Sequence, residues 1–197
     1  YTALNTLSLH DALPIYARQA EGADFQLQPY DRFFYSAKMK KAQYSFSDDD
    51  VKPYFNLDSI LVNGIFYAAH RVYGLNFRER TDLPTYHKDM KVFDVLDENG
   101  KQLALFYCDY FRRPTKRGGA WMSAFLKQSN DRNQLPLIYN VCNYAKAPEG
   151  QPTLLTWDET QTMFHEFGHA LHGMLSNCTY NTLSGTSVSR DFVEMPS

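Results

Sequence analysis

Apolar residues repeat with helical spacing in three parts of the chain. Tyr30, Phe33, Phe34 and Ala37, with Lys41 in the same register, predict a helix over residues 29–45, and Pro29 suits its start. Ser47-Asp48-Asp49-Asp50 is a helix-start signal for a short element running to residue 55, with Pro53 in its first turns. Residues 57–73 predict a second long helix, stopped by Gly74. Gly64 inside it implies close approach of a neighbour, and His70 reads as a structural or surface histidine. The third pattern, over residues 156–176, is dense: Met163, Phe164, Phe167, Ala170, Leu171, Met174 and Leu175. Thr156 followed by Glu159 is a capping-box pair at its start.

Between the second and third helices the pattern changes. Residues 91–96 and 102–111 read as strands, joined by the turn Asp97-Glu98-Asn99-Gly100, and residues 137–144 read as a further strand. The expected class is α+β, mainly α, with a small sheet made of one hairpin and one more strand. Residues 112–119 form a basic, turn-rich loop that admits two readings. It is either an exposed connection, with Gly118 and Gly119 taking unusual backbone angles, or a cleft wall where a strand edge can pair with an extended peptide.

Composition narrows the classes. A hydrophobic fraction of 44%, with 15% aromatic residues, suits a packed core and argues against disorder. A net charge of −2 gives no basis for a nucleic-acid surface or for docking on anionic membranes. Lys38-Met39-Lys40-Lys41 reads as a solvated helix face. Cys108, Cys142 and Cys178 form no CxxC and cannot all pair, which favours a reducing compartment or plain burial. A cytoplasmic location is therefore expected, with a lost secretory leader as the alternative.

The third helix carries the chemistry. His165-Glu166-Phe167-Gly168-His169 reads H-E-x-x-H, and positions four apart fall on one helix face one turn from each other. Two imidazoles so placed can share one Zn²⁺, and Glu166 beside them can take a proton from an attacking water. A buried helix with these polar groups on a core-facing side needs such a reason, since unpaired buried polar groups are costly.

A peptidase-type zinc site uses three protein ligands and one open position. Other arrangements would place the third ligand at 175, 188 or 189, which are Leu175, Val188 and Ser189. Only Asp191 and Glu194 are carboxylates after His169, and Glu194 is the expected ligand, on a helix starting near 187–190. Asp191, one turn earlier, reads as a helix N-terminal acid, with orientation of a ligand imidazole as the alternative. His172 lies on the same face as His165 and His169 but a further turn along, so a packing or orienting use is expected rather than ligation. His87 reads as a loop histidine.

The runs 162–172, Leu183-Ser184-Gly185-Thr186 and 190–197 resemble the zinc-binding region of the thimet-oligopeptidase family. The segments 52–55, 106–111, 116–122 and 139–144 resemble its bacterial peptidyl-dipeptidase branch, and the likeness runs from about residue 25 to 197. The resemblance implies a helical zincin-type catalytic part holding one Zn²⁺ through His165, His169 and Glu194, with Glu166 as the catalytic carboxylate. It implies short peptide substrates cut in a deep channel and release of C-terminal dipeptides; no nucleic-acid or membrane partner is expected, and a monomer is favoured. An endo-acting oligopeptidase is the alternative within the family; a non-catalytic zinc-binding fragment is the alternative outside enzymology. Oxyanion donors and residues that bind the substrate carboxylate are expected in a segment following Ser197.

Both ends carry their own expectations. Residues 6–15, Thr6 through Ile15, back-translate into the string of a common sequencing adapter, so residues 1–15 are expected to be translated adapter. Residues 16–197 are then expected to be part of a catalytic domain broken at both ends, and inactive alone.

Overall fold

The computed structural model describes residues 28–44 and 48–197, together with Ile15, Arg18, Gln19, Glu21 and Gly22. The expectation of translated adapter over residues 1–15 lies, Ile15 apart, outside the described residues. Two compact units divide the chain, residues 1–51 and 52–197.

The first unit contains α1 (Asp31–Tyr44) and the short α2 (Asp48–Val51). Asp31 marks the start of α1 by accepting from the Gln28 N–H at 3.0 Å. The apolar face expected from Tyr30, Phe33 and Phe34 is exposed, and Tyr35 is buried. The short helix expected to run to residue 55 stops being α-helical earlier. Lys52–Tyr54 is a 3₁₀ turn in the second unit, and Pro53 in it has no N–H to give to an α-helical ladder.

The second unit opens on a helical stretch in three parts: α3 (Leu57–Ser59), a π-helical segment (Ile60–Phe66) and α4 (Tyr67–Tyr73). The Asn56 side chain caps α3 by accepting from the Ser59 N–H at 3.1 Å. Gly74, at φ 70°, ends α4 in the left-handed conformation that glycine adopts at little cost. The regular helix expected over 57–73 is thus widened in its middle, where Gly64 meets the third helix. A Cβ at Gly64 would lie 3.3 Å from Cζ of Phe164. His70 plays the structural part expected, with Nδ1 3.2 Å from the Leu75 carbonyl.

Five strands follow in one mixed sheet: β1 (Asn76–Glu79), β2 (Lys91–Leu96), β3 (Gln102–Phe111), β4 (Trp121–Leu126) and β5 (Leu137–Tyr144). Their spatial order is β1-β2-β3-β5-β4, with β3 parallel to β5 and the other neighbours antiparallel. The sheet is larger than the hairpin and single strand expected, so the molecule is α+β with a substantial β part, not mainly α. The Asn-Gly hairpin forms where the sequence places it. Gly100 has φ 79°, and Asp97 Oδ1 accepts from the N–H groups of Asn99 and Lys101 at 2.9 and 2.8 Å.

One sheet face carries α5 (Trp157–Met174). Thr156 Oγ1 accepts from the Glu159 N–H at 3.1 Å, and Glu159 Oε2 accepts from the Thr156 N–H at 2.8 Å, completing the capping box. Met163, Phe167, Ala170 and Met174 turn inward. The Phe167 ring lies 5.5 Å from Phe106 and 6.2 Å from Phe66, so it joins sheet, π segment and α5. Truncating such a residue to alanine costs about 3–5 kcal/mol. Among the described residues no helix is long and apolar enough to cross a membrane. A 3₁₀ turn (Asn181–Leu183) and the four-residue α6 (Arg190–Val193) complete the chain.

Candidate metal centre

α5 places His165 and His169 on one face one turn apart, with ring centroids 4.7 Å from each other and planes at 81°. α6 delivers Glu194 at its C-terminal end. Glu194 Oε2 lies 3.4 Å from Nε2 of His165 and 3.2 Å from Nε2 of His169. One ligand atom from each of the three residues lies within 4.8 Å of the others.

These separations suit a metal. Ligands about 2.0–2.2 Å from a tetrahedral Zn²⁺ stand about 3.3–3.6 Å apart, close to the two separations to Glu194. Two neutral imidazoles and a carboxylate are also a donor set that leaves a fourth position open. The trio is open to solvent on one side: the His165 side chain is 44% exposed and that of Glu194 63% exposed, while His169 is sunk to 11%. Burial lowers the His169 pKa, and the neighbouring His165 lowers it further against the pull of Glu194, which favours the neutral ring that a metal needs.

Glu166 is buried beside the trio. Burial pushes its carboxyl pKa upward. His165 opposes this, Glu194 adds to it, and the backbone N–H of Met122 opposes it. Met122 belongs to β4, the sheet's free edge next to α5. Neither β4 nor the Met122 contact stood out in the sequence; Trp121–Leu126 lacks strict alternation, and the contact is purely tertiary.

The remaining candidates fall outside the trio. His172 packs near Phe192, ring centroids 6.1 Å apart, as a packing role requires. Asp191 sits in the first turn of α6. His87 is in a loop, where Nδ1 accepts from the Asp89 N–H at 3.3 Å.

The basic loop 112–119 is anchored at several points. Arg113 makes two bonds to Asp109, both at 2.8 Å, and Lys116 Nζ reaches Asp109 Oδ1 at 2.9 Å. Asn143 Nδ2 donates to the carbonyls of Arg117 and Gly119 at 2.9 and 2.7 Å. The loop is therefore a fixed lead into β4.

Known proteins share this arrangement of sequence. The chain is 48% identical over 173 residues to a dipeptidyl carboxypeptidase of Escherichia coli (strain K12), covering 88% of this chain and 25% of that protein. It is 41% identical over 189 residues to oligopeptidase A of the same organism, covering 94% of this chain and 28% of that protein. It is 34% identical over 182 residues to a thimet-like oligopeptidase of Dictyostelium discoideum, covering 90% of this chain and 27% of that protein. The chain thus spans about a quarter of the length of these relatives. The model of Peptidase family M3 matches residues 6–197, through His165 and His169 and on past Glu194, and a match of that extent means that the chain belongs to this family.

Proposed function

We propose that this chain carries the metal-binding part of a zinc peptidase that acts on short peptides and releases C-terminal dipeptides. The observation that supports it best is the convergence of Glu194 Oε2 on two imidazole nitrogens at 3.2 and 3.4 Å, with Glu166 buried alongside. His165, His169 and Glu194 would hold the ion. Zn²⁺ there supplies Lewis-acid chemistry, polarising a carbonyl and acidifying water.

The chain's own groups do the rest. Glu166, whose proton affinity is raised by burial, accepts the proton of the attacking water and returns it to the leaving amine. The free edge of β4 offers backbone hydrogen bonds to an extended peptide, which would lie beside Glu166. Dipeptide release rests on the likeness to dipeptidyl carboxypeptidase. Internal cleavage is the second reading, supported by 41% identity to oligopeptidase A over a slightly longer stretch.

The test is to express the chain, measure zinc per chain, and follow hydrolysis of an N-blocked tetrapeptide. One bound zinc with weak or no turnover is expected, since the relatives carry most of their length outside the matched part. In a protein of the relatives' full length, dipeptides should leave from the C-terminus of blocked substrates. Internal cuts would select the oligopeptidase reading, and a chain that takes up no zinc would end both.

A further inference from the structure

The segment that delivers Glu194 is gripped at two places by one loop. After α5, residues 177–179 run beside residues 128–131. The Asn130 N–H donates to the Cys178 carbonyl and the Asp131 N–H to the Thr179 carbonyl, both at 3.0 Å. Ser129 Oγ donates to the same Thr179 carbonyl at 3.0 Å. Gln128 is 6% exposed and uses both ends of its amide. Its Oε1 accepts from the Cys178 N–H at 2.7 Å, and its Nε2 donates to Asn130 Oδ1 at 2.8 Å. Asn130 Nδ2 in turn donates to Asn177 Oδ1 at 2.8 Å.

The linker then folds back on α5. The Gly185 N–H donates to Ser176 Oγ at 2.9 Å, and a Cβ on Gly185 would lie 3.2 Å from Gly173 Cα. Past this return, Lys127 Nζ donates to Ser187 Oγ at 2.7 Å. Residues 127–131 therefore hold the linker just after α5 and again just before α6.

α6 cannot place Glu194 by itself. It is four residues long, its N-cap Ser189 makes no side-chain cap bond, and it buries none of its residues. A helix that short has no stability of its own, whereas a metal ligand must be placed to within about 0.2 Å.

We propose that Gln128 is a positioning residue for Glu194: its buried amide locks the linker so that the carboxylate meets His165 and His169. This rests on the zinc reading above. The test measures Zn²⁺ affinity of the 197-residue chain by competition with a chromophoric chelator, alongside the thermal stability of the metal-free form. Gln128→Met keeps the shape and removes both hydrogen bonds; it should weaken affinity about tenfold, the scale seen when groups supporting metal ligands are lost. Gln128→Glu, which keeps the acceptor for the Cys178 N–H, should recover part of the loss. In a Glu194→Ala background Gln128→Met should add nothing, because the group being positioned is gone.

An unchanged affinity for Gln128→Met, or an equal loss with and without Glu194, overturns the proposal. If Gln128→Met does not fold, the exposed Lys127→Ala decides: a smaller loss that vanishes in the Glu194→Ala background supports the clasp, and no loss removes it. A native chain that takes up no zinc defeats the metal reading itself. A native chain that binds zinc, loses it with Glu194→Ala and is indifferent to Gln128→Met defeats the clasp alone.

Discussion

Glu194 Oε2 stands 3.2 Å from Nε2 of His169, although the two residues sit on separate helices joined by an irregular linker. On the proposed reading each end of that contact is a zinc ligand. His165→Ala and Glu194→Ala should each lose the metal, measured as zinc per chain after dialysis. Glu166→Gln should keep the metal, because it lies outside the trio, and lower turnover of a full-length enzyme by about 10²–10⁴, the contribution typical of a general base. Asp191→Ala should leave zinc content unchanged. If Asp191→Ala empties the site while Glu194→Ala does not, the ligand assignment moves to Asp191.

Gly168 gives a prediction in which stability and metal affinity change in opposite directions. A Cβ there would overlap Ser197 Cα and lie 2.7 Å from the Pro196 carbonyl oxygen. Ser197 is tied to Glu194, its Oγ donating to the Glu194 carbonyl at 2.9 Å. Gly168→Ala should therefore push the 194–197 turn off α5 and carry Glu194 away from the histidines, weakening zinc binding. The same change favours the helix itself by about 0.8–1 kcal/mol. Zinc titration and thermal unfolding of the metal-free chain separate the two: affinity should fall while unfolding stays level or rises. An unchanged affinity would mean that the turn relaxes without moving Glu194.

The legible parts of this fold are those whose causes are local. α5 follows from the Thr156–Glu159 box and its apolar spacing, and the hairpin from Asn99-Gly100. His165 and His169 follow from helix periodicity alone, and Glu194 from the lack of a ligand residue at 175, 188 and 189. The parts not legible are settled by contacts distant in sequence. β1 is only Asn76–Glu79, mostly exposed, and Phe77 stacks on Phe66 at 3.9 Å. The π segment belongs with Gly64 against Phe164, a pairing across two helices. The partners of Asp109 come from Tyr86 on one side and Arg113 and Lys116 on the other, and no spacing rule links them.

The three thiols should separate by reactivity. Burial pushes the Cys108 thiol well up and takes Cys142 to about 12, so neither forms thiolate near neutral pH. Cys178 is only partly buried. In the native chain a thiol reagent such as DTNB should modify Cys178 alone, and all three cysteines after unfolding in guanidinium. Fast modification of a second cysteine in the folded chain would contradict the packing of β3 against β5, where Cys108 and Cys142 lie.

The last prediction concerns acid stability and rests on Asp109. Burial alone would raise its pKa. Hydrogen bonds from Arg113, Tyr86 and Lys116, with the Lys116 charge, outweigh that and hold it at about 2, against an ordinary 3.8. A carboxylate depressed in the folded state contributes stability that is fully present above its unfolded pKa and is lost as pH falls through the folded one. The contribution should therefore fade between about pH 4 and pH 2. Asp109→Asn should remove this part of the acid dependence and also destabilise the chain at neutral pH. The neutral-pH cost should be about 3–5 kcal/mol, because the Lys116 side chain, 4% exposed, would lose its counter-ion. Urea unfolding of both proteins between pH 2 and 7 gives the comparison. Their stabilities should draw together as pH falls through that window, and parallel curves would mean that Asp109 is not ionised in the folded chain.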